Sequence, residues 1–395
     1  MGGRGLGAIV LAAGFTTFGP LPVFFLGSLA VLVRDDLEFS EARLGATVAV
    51  FFAFAALAAA PAGRFSDRIG ARSALRVGLC ATVVALTSMA FVTRWWQFPL
   101  ALAVAGLGHA VLQVGSNLLL TNDVPPGNQG LAFGIKQSAI PAATLTAGAS
   151  VPLIGTQFGW RWTYAVAAVV AAVVLVLQWR GGGPRARPRP RPALPPPHPD
   201  AFTRRELLML AVAVALGAAA ANTLASFLVA YAVQTGMPVG RAGILLAAAS
   251  ALGLVARVLM GRLADTLGST DLAWVALLLA AGGAAFAVLP VADGDAPLLW
   301  VAGSVAFAGG WGWPGLVTFI VAKKNAHAPA SATGLTQTGV FAGAVAGPLL
   351  FGLTVAAASY PVAWRGAAVA QFLGAGLLLV VRGRRRARLA TGSDA

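Results

Sequence analysis

Three polar residues recur at a spacing of four within an otherwise apolar stretch: His109, Gln113 and Asn117. Side chains four residues apart lie on one face of a helix, so the spacing predicts a polar stripe. An imidazole exchanges a proton near neutral pH, and carboxamides both donate and accept hydrogen bonds. Such a stripe could bind a small polar solute or carry a proton. The alternative, that His109 only hydrogen-bonds a neighbouring helix, remains open.

A lysine and a glutamine follow the stripe, at Lys136 and Gln137, ahead of Pro141. An ammonium group in an apolar stretch is costly unless it meets a partner, so Lys136 is a candidate contact for an anionic solute. A second interpretation is that its flexible stem carries the charge to the aqueous interface. The sequence alone leaves both interpretations open.

Hydroxyl, amide and indole groups in other apolar stretches could line the same solute site. These candidates are Thr16, Thr17, Asn222, Ser226, Trp311, Trp313 and Gln337. The two tryptophans lie within residues 309–315, where four glycines and Pro314 weaken a helix. This composition predicts a kinked or locally unwound segment lined by aromatic rings.

Acidic residues are confined to the ends of the later apolar stretches, as with Asp123 and Asp271. A protein that exports cationic drugs normally needs a carboxylate at membrane depth to bind the drug or the proton. The sequence therefore favours an anionic or neutral solute, with Lys136 and His109 as the positive candidates.

Metal, disulfide and enzyme chemistry are not indicated. Cys80 is the single cysteine, and His109, His198 and His327 are far apart in the sequence. No nucleophile with a neighbouring base and no paired carboxylates stand out, and the phosphate-binding pattern GxxxxGK[ST] does not occur. We therefore expect no catalytic residue, no metal, no cofactor and no direct use of ATP.

The elements that position these residues are long apolar stretches. The chain of 395 residues is 58% hydrophobic and 10% charged, whereas soluble domains carry about 25% charged residues. Runs of about 20 apolar residues cross a bilayer as helices. The sequence contains twelve, near residues 7–32, 44–63, 73–93, 97–120, 129–155, 162–179, 206–233, 239–261, 272–291, 297–322, 331–357 and 364–381. It therefore predicts an all-α membrane protein.

Basic residues lie in alternate loops, which predicts the orientation. The net charge of +15 would suggest nucleic acid in a soluble protein. Here the charges lie between apolar stretches and not among aromatic residues on one face, so we expect no nucleic-acid partner. The loop from Arg64 to Arg76 is basic and that near Asp293 acidic, which places both termini in the cytoplasm. Five arginines in residues 382–388 are suited to the anionic inner leaflet.

A proline-rich segment divides the chain near its middle. Residues 181–205 contain eight prolines among several arginines, a composition that favours extended, unpacked chain. We predict a six-helix bundle in residues 1–180, a cytoplasmic linker in residues 181–205, and a second six-helix bundle with a basic tail in residues 206–395.

The two halves repeat a short motif between their second and third apolar stretches. Residues 63–70 read GRFSDRIG, and residues 261–268 read GRLADTLG. The candidate motif residues are Gly63, Asp67, Arg68, Gly70, Arg72, Gly261, Asp265 and Gly268. A duplicated six-helix unit places a solute site where the two repeats meet.

The first copy resembles the signature loop of the major facilitator superfamily, GxxxDRxGxR/K. The resemblance implies a twelve-helix carrier in two pseudo-symmetric bundles that works by alternating access. It also implies that the motif latches the cytoplasmic side, with Asp67 accepting hydrogen bonds from backbone amides or from an arginine such as Arg72. The second copy has Thr266 where the first has Arg68.

A finer resemblance concerns the fifth stretch. Residues 134–137, GIKQ, with residues 159–161, GWR, are similar to bacterial permeases related to cyanate, nitrate and other small-anion carriers. Drug/proton antiporters carry an arginine in the fourth stretch, but residues 106–110 read GLGHA.

Together these observations predict a multi-pass permease of the bacterial inner membrane. It moves a small organic solute, anionic or neutral, by symport or antiport driven by an ion gradient, with protons as the candidate ion. Its expected partners are the solute and the lipid bilayer, and the expected functional unit is a monomer. A drug or metabolite efflux antiporter is the first alternative. A non-transporting receptor or scaffold that keeps the carrier fold is the second.

Overall fold

The computed structural model describes residues 3–125, 128–180, 196, 200–267, 271–292 and 296–391. Within these ranges the ordered elements are helices, and no strand is present. The α-helices are α1 Gly3–Phe18, α2 Leu21–Ser28, α3 Ala30–Leu37, α4 Glu41–Ile69, α5 Ala71–Ala90, α6 Gln97–Asp123, α7 Gln129–Gln137, α8 Ala139–Ser150, α9 Thr156–Phe158, α10 Trp160–Arg180, α11 Arg204–Gln234, α12 Val239–Leu267, α13 Leu272–Val288, α14 Ala296–Gly312, α15 Pro314–Lys324, α16 Pro329–Ala357 and α17 Tyr360–Thr391.

Among the described residues, eleven helical spans are long and apolar enough to cross a membrane, and the bent pair α1 and α2 makes a twelfth if it counts as one span. Each coincides with one of the apolar stretches recognised in the sequence, within a few residues except at the last, which runs from Tyr360 to Ala390. The predicted all-α, twelve-helix membrane fold is confirmed.

The first span bends by 46° between α1 and α2. Gly19 and Pro20 form the break. Proline lacks the amide hydrogen that would continue the α1 ladder, and glycine lowers the helical propensity beside it.

The tenth span is also interrupted, between α14 and α15. Pro314 begins α15, and Trp313 precedes it outside either helix. This confirms the weakened helix that the glycines and Pro314 predict. In the fifth span, a π-helical segment, Val151–Gly155, lies between α8 and α9 and contains Pro152. The proline cannot donate to an α-helical ladder, which favours a local change of helix type.

The chain divides into two compact units. Unit 1 comprises Met1–Arg189 with Ala225–Ala251, and unit 2 comprises Pro190–Leu224 with Leu252–Ala395. The first unit thus includes the last third of α11 and nearly half of α12, at its beginning. The domain boundaries that we place at the proline-rich linker stay a prediction, because residues 181–195 and 197–199 lie outside the described ranges.

Unit 1 is held together by close helix contacts at small residues. A Cβ atom on Gly106 of α6 would overlap the carbonyl of Phe51 and lie 3.1 Å from the amide nitrogen of Ala55 on α4. Gly148 of α8 is equally tight, since a Cβ there would lie 2.7 Å from the carbonyl oxygen of Gly243 on α12. Packing of backbone on backbone replaces the hydrophobic effect as a source of helix association in lipid.

Unit 2 uses a glycine repeat at a spacing of four along α16. At each glycine, a Cβ atom would overlap a backbone carbonyl oxygen of α11. The contacts pair Gly339, Gly343 and Gly347 with Ala211, Ala215 and Ala219. This small-xxx-small pattern brings the two helix backbones together along a little over two turns.

The basic end of α17 packs on unit 2 through ion pairs. Arg382 binds Asp271 through both carboxylate oxygens, at 2.5 and 2.7 Å. Arg385 and Lys324 both contact the carboxylate of Asp200. Arg386 lies 3.2 Å from Asp271 and Arg388 lies 3.3 Å from Glu206, so four arginines of this end form ion pairs within the described residues.

Candidate functional site

The polar stripe of α6 lies opposite the apolar exterior of that helix. Leu100, Val104 and Leu107 are 61%, 37% and 43% exposed, as expected for a surface covered by lipid. At about 100° per residue, His109, Gln113 and Asn117 lie roughly 180–260° around the helix from Leu100. Gln113 is nevertheless half-buried and Asn117 is exposed. Unit 1 thus presents accessible amides on a side that does not face lipid.

Lys136 joins this stripe from α7. Its side chain is 3% exposed, and its ammonium group donates to the carboxamide oxygens of Gln113 and Asn117, the latter at 3.0 Å. The charge is therefore held against the polar stripe. Both amide oxygens accept from the ammonium group, which places its charge beside the accessible end of the stripe.

His109 lies at the buried end of the stripe, where the first span breaks. It is 5% exposed, and its ring centroid lies 5.4 Å from that of Phe51. A Cβ atom on Gly19 would come within 2.5 Å of its Nδ1. Glycine at the α1–α2 break is thus what admits the imidazole. Nδ1 is buried and has no hydrogen-bond partner among the described residues.

The hydroxyl groups of α1 are used for helix contacts. Thr16 is fully buried and donates to the hydroxyl of Ser116 at 3.0 Å, and Ser116 donates to the carbonyl of Ala12. Thr17 donates to the carbonyl of Ala13 within its own helix. The two bonds of Ser116 fix α1 against α6 and thereby support the position of the stripe.

The candidates of α11 are buried. Asn222 is 4% exposed and donates to the carbonyl of Ala218 at 2.8 Å within its helix. Ser226 belongs to unit 1, where a Cβ atom on Gly27 would lie 2.8 Å from its Cα. Gln137 is half-buried at the end of α7, and Gln337 is exposed on α16 of unit 2.

The two tryptophans at the break of the tenth span differ in surroundings. Trp313 is 1% exposed and packs in the apolar core of unit 2 with Leu279 and Val317. Trp311 is 6% exposed and stacks on Phe307, with ring centroids 6.4 Å apart.

A buried arginine at this break was missed by the sequence analysis. Arg257 of α12 is 6% exposed, and its Nε donates to the carbonyl oxygen of Trp311 at 3.0 Å. Its guanidinium carbon lies 5.9 Å from the centre of the Trp311 ring. Arg257 thus binds the exposed carbonyl end of α14, where a cation is favourable. Arg257 could have been found in the sequence as a basic residue that stands alone within an apolar stretch.

A second missed residue is Gln371 of α17. It is fully buried, and neither amide atom has a hydrogen-bond partner among the described residues. A Cβ atom on Gly310 would lie 3.9 Å from its Nε2. An amide inside the apolar final stretch was again the signal.

The repeated motif lies at helix ends more than in loops. Gly63, Asp67 and Arg68 belong to the last turns of α4, and Gly70, with φ of 84°, forms the turn into α5. Asp67 and Arg68 are exposed. Asp67 makes no ion pair with the described residues, while Arg72 lies 3.9 Å from Asp123.

The second copy occupies the corresponding end of α12. Gly261 and Asp265 are in its last turns, and Gly268 lies outside the described residues. The role of both copies as a latch stays a prediction.

No group of three metal-binding side chains occurs among the residues that the structure describes. The site is therefore built from one ammonium group, one imidazole and several amides. This set can bind a polar or anionic solute and exchange a proton.

Comparisons with known proteins agree with this architecture. The sequence matches the model of the Major Facilitator Superfamily over residues 5–348. It is 24% identical over 161 residues to the gentisate transporter of Corynebacterium glutamicum, covering 40% of this chain and 36% of that protein. It is 27% identical over 308 residues to an uncharacterized MFS-type transporter of Mycobacterium tuberculosis, covering 76% of this chain and 68% of that protein. The chain thus spans little more than a third of the first relative.

The fold is similar to that of a bacterial homologue of the human lysosomal transporter Spinster. The TM-score is 0.73 at 16% identity, and the match covers 98% of this chain and 97% of that one. Twelve apolar spans, a repeated motif and a family model over most of the length lead to one conclusion: the chain belongs to the Major Facilitator Superfamily.

Proposed function

We propose that this protein is a secondary active transporter of a small organic solute that carries a carboxylate or another anionic group. It works by alternating access in the bacterial inner membrane, as a monomer, and takes its energy from an ion gradient. Family membership and the named relatives support transport in general. Gentisate is itself a carboxylate, so the relative in Corynebacterium glutamicum supports the proposed solute class.

The observation that carries the proposal is the environment of Lys136. A buried ammonium group within a membrane span is costly unless it is paired or functional. The ammonium group of Lys136 donates to the amides of Gln113 and Asn117, and Asn117 is exposed. An anion that reaches the accessible amides can therefore gain a charge-assisted hydrogen bond from Lys136.

His109 supplies a second part of the proposal. An imidazole changes its charge near neutral pH, and this one lies on the same helix face as the amides that hold Lys136. We assign His109 to proton coupling. An anion bound near the stripe would attract the positively charged imidazolium and so favour protonation of His109.

The class of ligand that binds distinguishes the proposed function from two other functions. An efflux antiporter for cationic drugs would bind cations without needing Lys136. A scaffold with the carrier fold would bind none of these solutes.

The experiment is thermal unfolding of the purified protein with panels of organic anions, neutral metabolites and cationic drugs. A ligand that binds only the folded state raises the free energy of unfolding, by about 2.7 kcal/mol at 100 times its Kd. We expect carboxylates to raise Tm for the native protein and for Lys323→Met, but not for Lys136→Met. Lys323 is exposed and controls for loss of one positive charge. Stabilisation by cations that survives Lys136→Met would overturn the proposal.

A further inference from the structure

A groove of about 500 Å³ lies on the outer face of unit 1, formed by α5, α6 and α10. Its apolar wall includes Val77, Val84 and Val104, which are 45%, 51% and 37% exposed. Cys80, the single cysteine of the chain, is exposed in the same wall. The groove is separate from the polar stripe, because Val104 lies on the lipid-facing side of α6.

The polar end of the groove is formed by Arg76 and Trp179. Arg76 donates through Nη2 to the backbone carbonyl of Gln178 at 2.7 Å. Its Nε is buried and has no hydrogen-bond partner among the described residues, with which Arg76 also makes no ion pair. A partly exposed guanidinium group with remaining donors matches the geometry of a phosphate group.

The depth of the groove matches one leaflet of a bilayer. Arg76 lies in the second turn of α5, and Trp179 is the next-to-last residue of α10. Both are at the side that the basic loops predict to be cytoplasmic. From Ser73 to Val84 the wall extends about 16 Å along α5, roughly half of a hydrocarbon core about 30 Å thick. Trp179 is 61% exposed, in keeping with the place of tryptophan at membrane interfaces.

We propose that this groove binds one anionic phospholipid of the inner leaflet, with its phosphate on Arg76 and an acyl chain along Val77, Cys80 and Val84. The charge of Arg76 selects an anionic headgroup over a zwitterionic one. The apolar wall selects a lipid over a free phosphate.

The test measures lipid retained by the purified protein in detergent, by mass spectrometry of the intact complex. Phosphatidylglycerol and phosphatidylcholine with the same acyl chains are titrated separately. We expect one phosphatidylglycerol to bind to the native protein, and at least tenfold weaker binding to Arg76→Gln. Arg64→Gln removes the same charge at an exposed position outside the groove and should bind as the native protein does. Glycerophosphoglycerol, which lacks acyl chains, should not compete.

A second variant tests the wall of the groove. Val84→Trp fills the volume that the acyl chain would occupy, so it should weaken binding of both lipids, with Tm showing that the variant is folded. Equal losses in Arg76→Gln and Arg64→Gln, or equal affinity of the native protein for the two lipids, would overturn the proposal. Efficient cross-linking of two copies through Cys80 in vesicles would also overturn it, since the face would then be an interface between copies.

Discussion

At the scale of the residue, the polar stripe was predictable and its partners were not. Spacing alone places His109, Gln113 and Asn117 on one face, because a helix repeats every 3.6 residues. The contact of Lys136 with two of them joins residues 19 and 23 positions apart, which no local pattern encodes. The sequence left two interpretations of Lys136 open, and the packing of α7 against α6 decides which contacts it makes.

His109 gives the first prediction at this scale. His109→Gln keeps an amide in place of the imidazole but removes the exchangeable charge. We expect solute binding to persist and accumulation driven by a pH gradient to fall at least tenfold. The measurement is uptake into proteoliposomes with and without the gradient. Unchanged gradient dependence would show that another group carries the proton.

Gln371 gives the second prediction. A buried amide without hydrogen bonds lowers stability, so Gln371→Met should raise the free energy of unfolding by about 1 kcal/mol. Gln157→Met, at an exposed position, is the control and should leave Tm unchanged. A lower Tm for Gln371→Met would mean that the amide has a partner in the folded protein, such as a buried water.

At the scale of the element, the apolar stretches predicted the spans because crossing a bilayer fixes their length. The breaks at Pro20 and Pro314 also follow from local chemistry. The close contacts of α16 on α11 do not, because a glycine repeat could face any neighbour. The contact of Arg257 with α14 could not be predicted from the sequence either, since the acceptor is 54 residues away.

The glycine repeat can be tested at its centre. Gly343→Leu inserts a side chain where even a Cβ would overlap the carbonyl of Ala215, so α11 and α16 must separate. We expect a loss of at least about 1–3 kcal/mol in the free energy of unfolding. Gly334→Leu lies on the same helix with open space around it and should have little effect. Equal Tm values for the two variants would contradict the packing.

The end of α17 gives a pH-dependent prediction. The bonds from Arg382 lower the pKa of Asp271 below its usual range, against the opposing effect of partial burial. A carboxyl with a lowered folded-state pKa stabilises above its unfolded pKa, about 3.9, and this stability is lost as the pH falls through the folded value. Asp271→Asn keeps the acceptor for the amide of Ala273 but removes the charge.

The measurement is the Tm difference between the native protein and Asp271→Asn. This difference should be constant above about pH 5 and shrink below about pH 4. A Tm difference that grows as the pH falls would contradict the stabilising role of the Asp271 carboxylate.

At the scale of the whole molecule, the repeat and the twelve spans were enough to predict the family, because both arise from duplication of a six-helix unit. For the solute, the sequence indicated only that it is an anion or a neutral molecule. Its identity depends on side chains from several helices at distances that sequence spacing does not determine. In the structure, Lys136 contacts Gln113 and Asn117, and the proposal of an anionic solute rests on this contact.

The most direct test of the central claim is uptake of radiolabelled organic anions, gentisate among them, into proteoliposomes. The account predicts gradient-driven accumulation by the native protein and by Lys323→Met, and at least a tenfold loss in Lys136→Met with an unchanged Tm. Full accumulation by a folded Lys136→Met variant would contradict it.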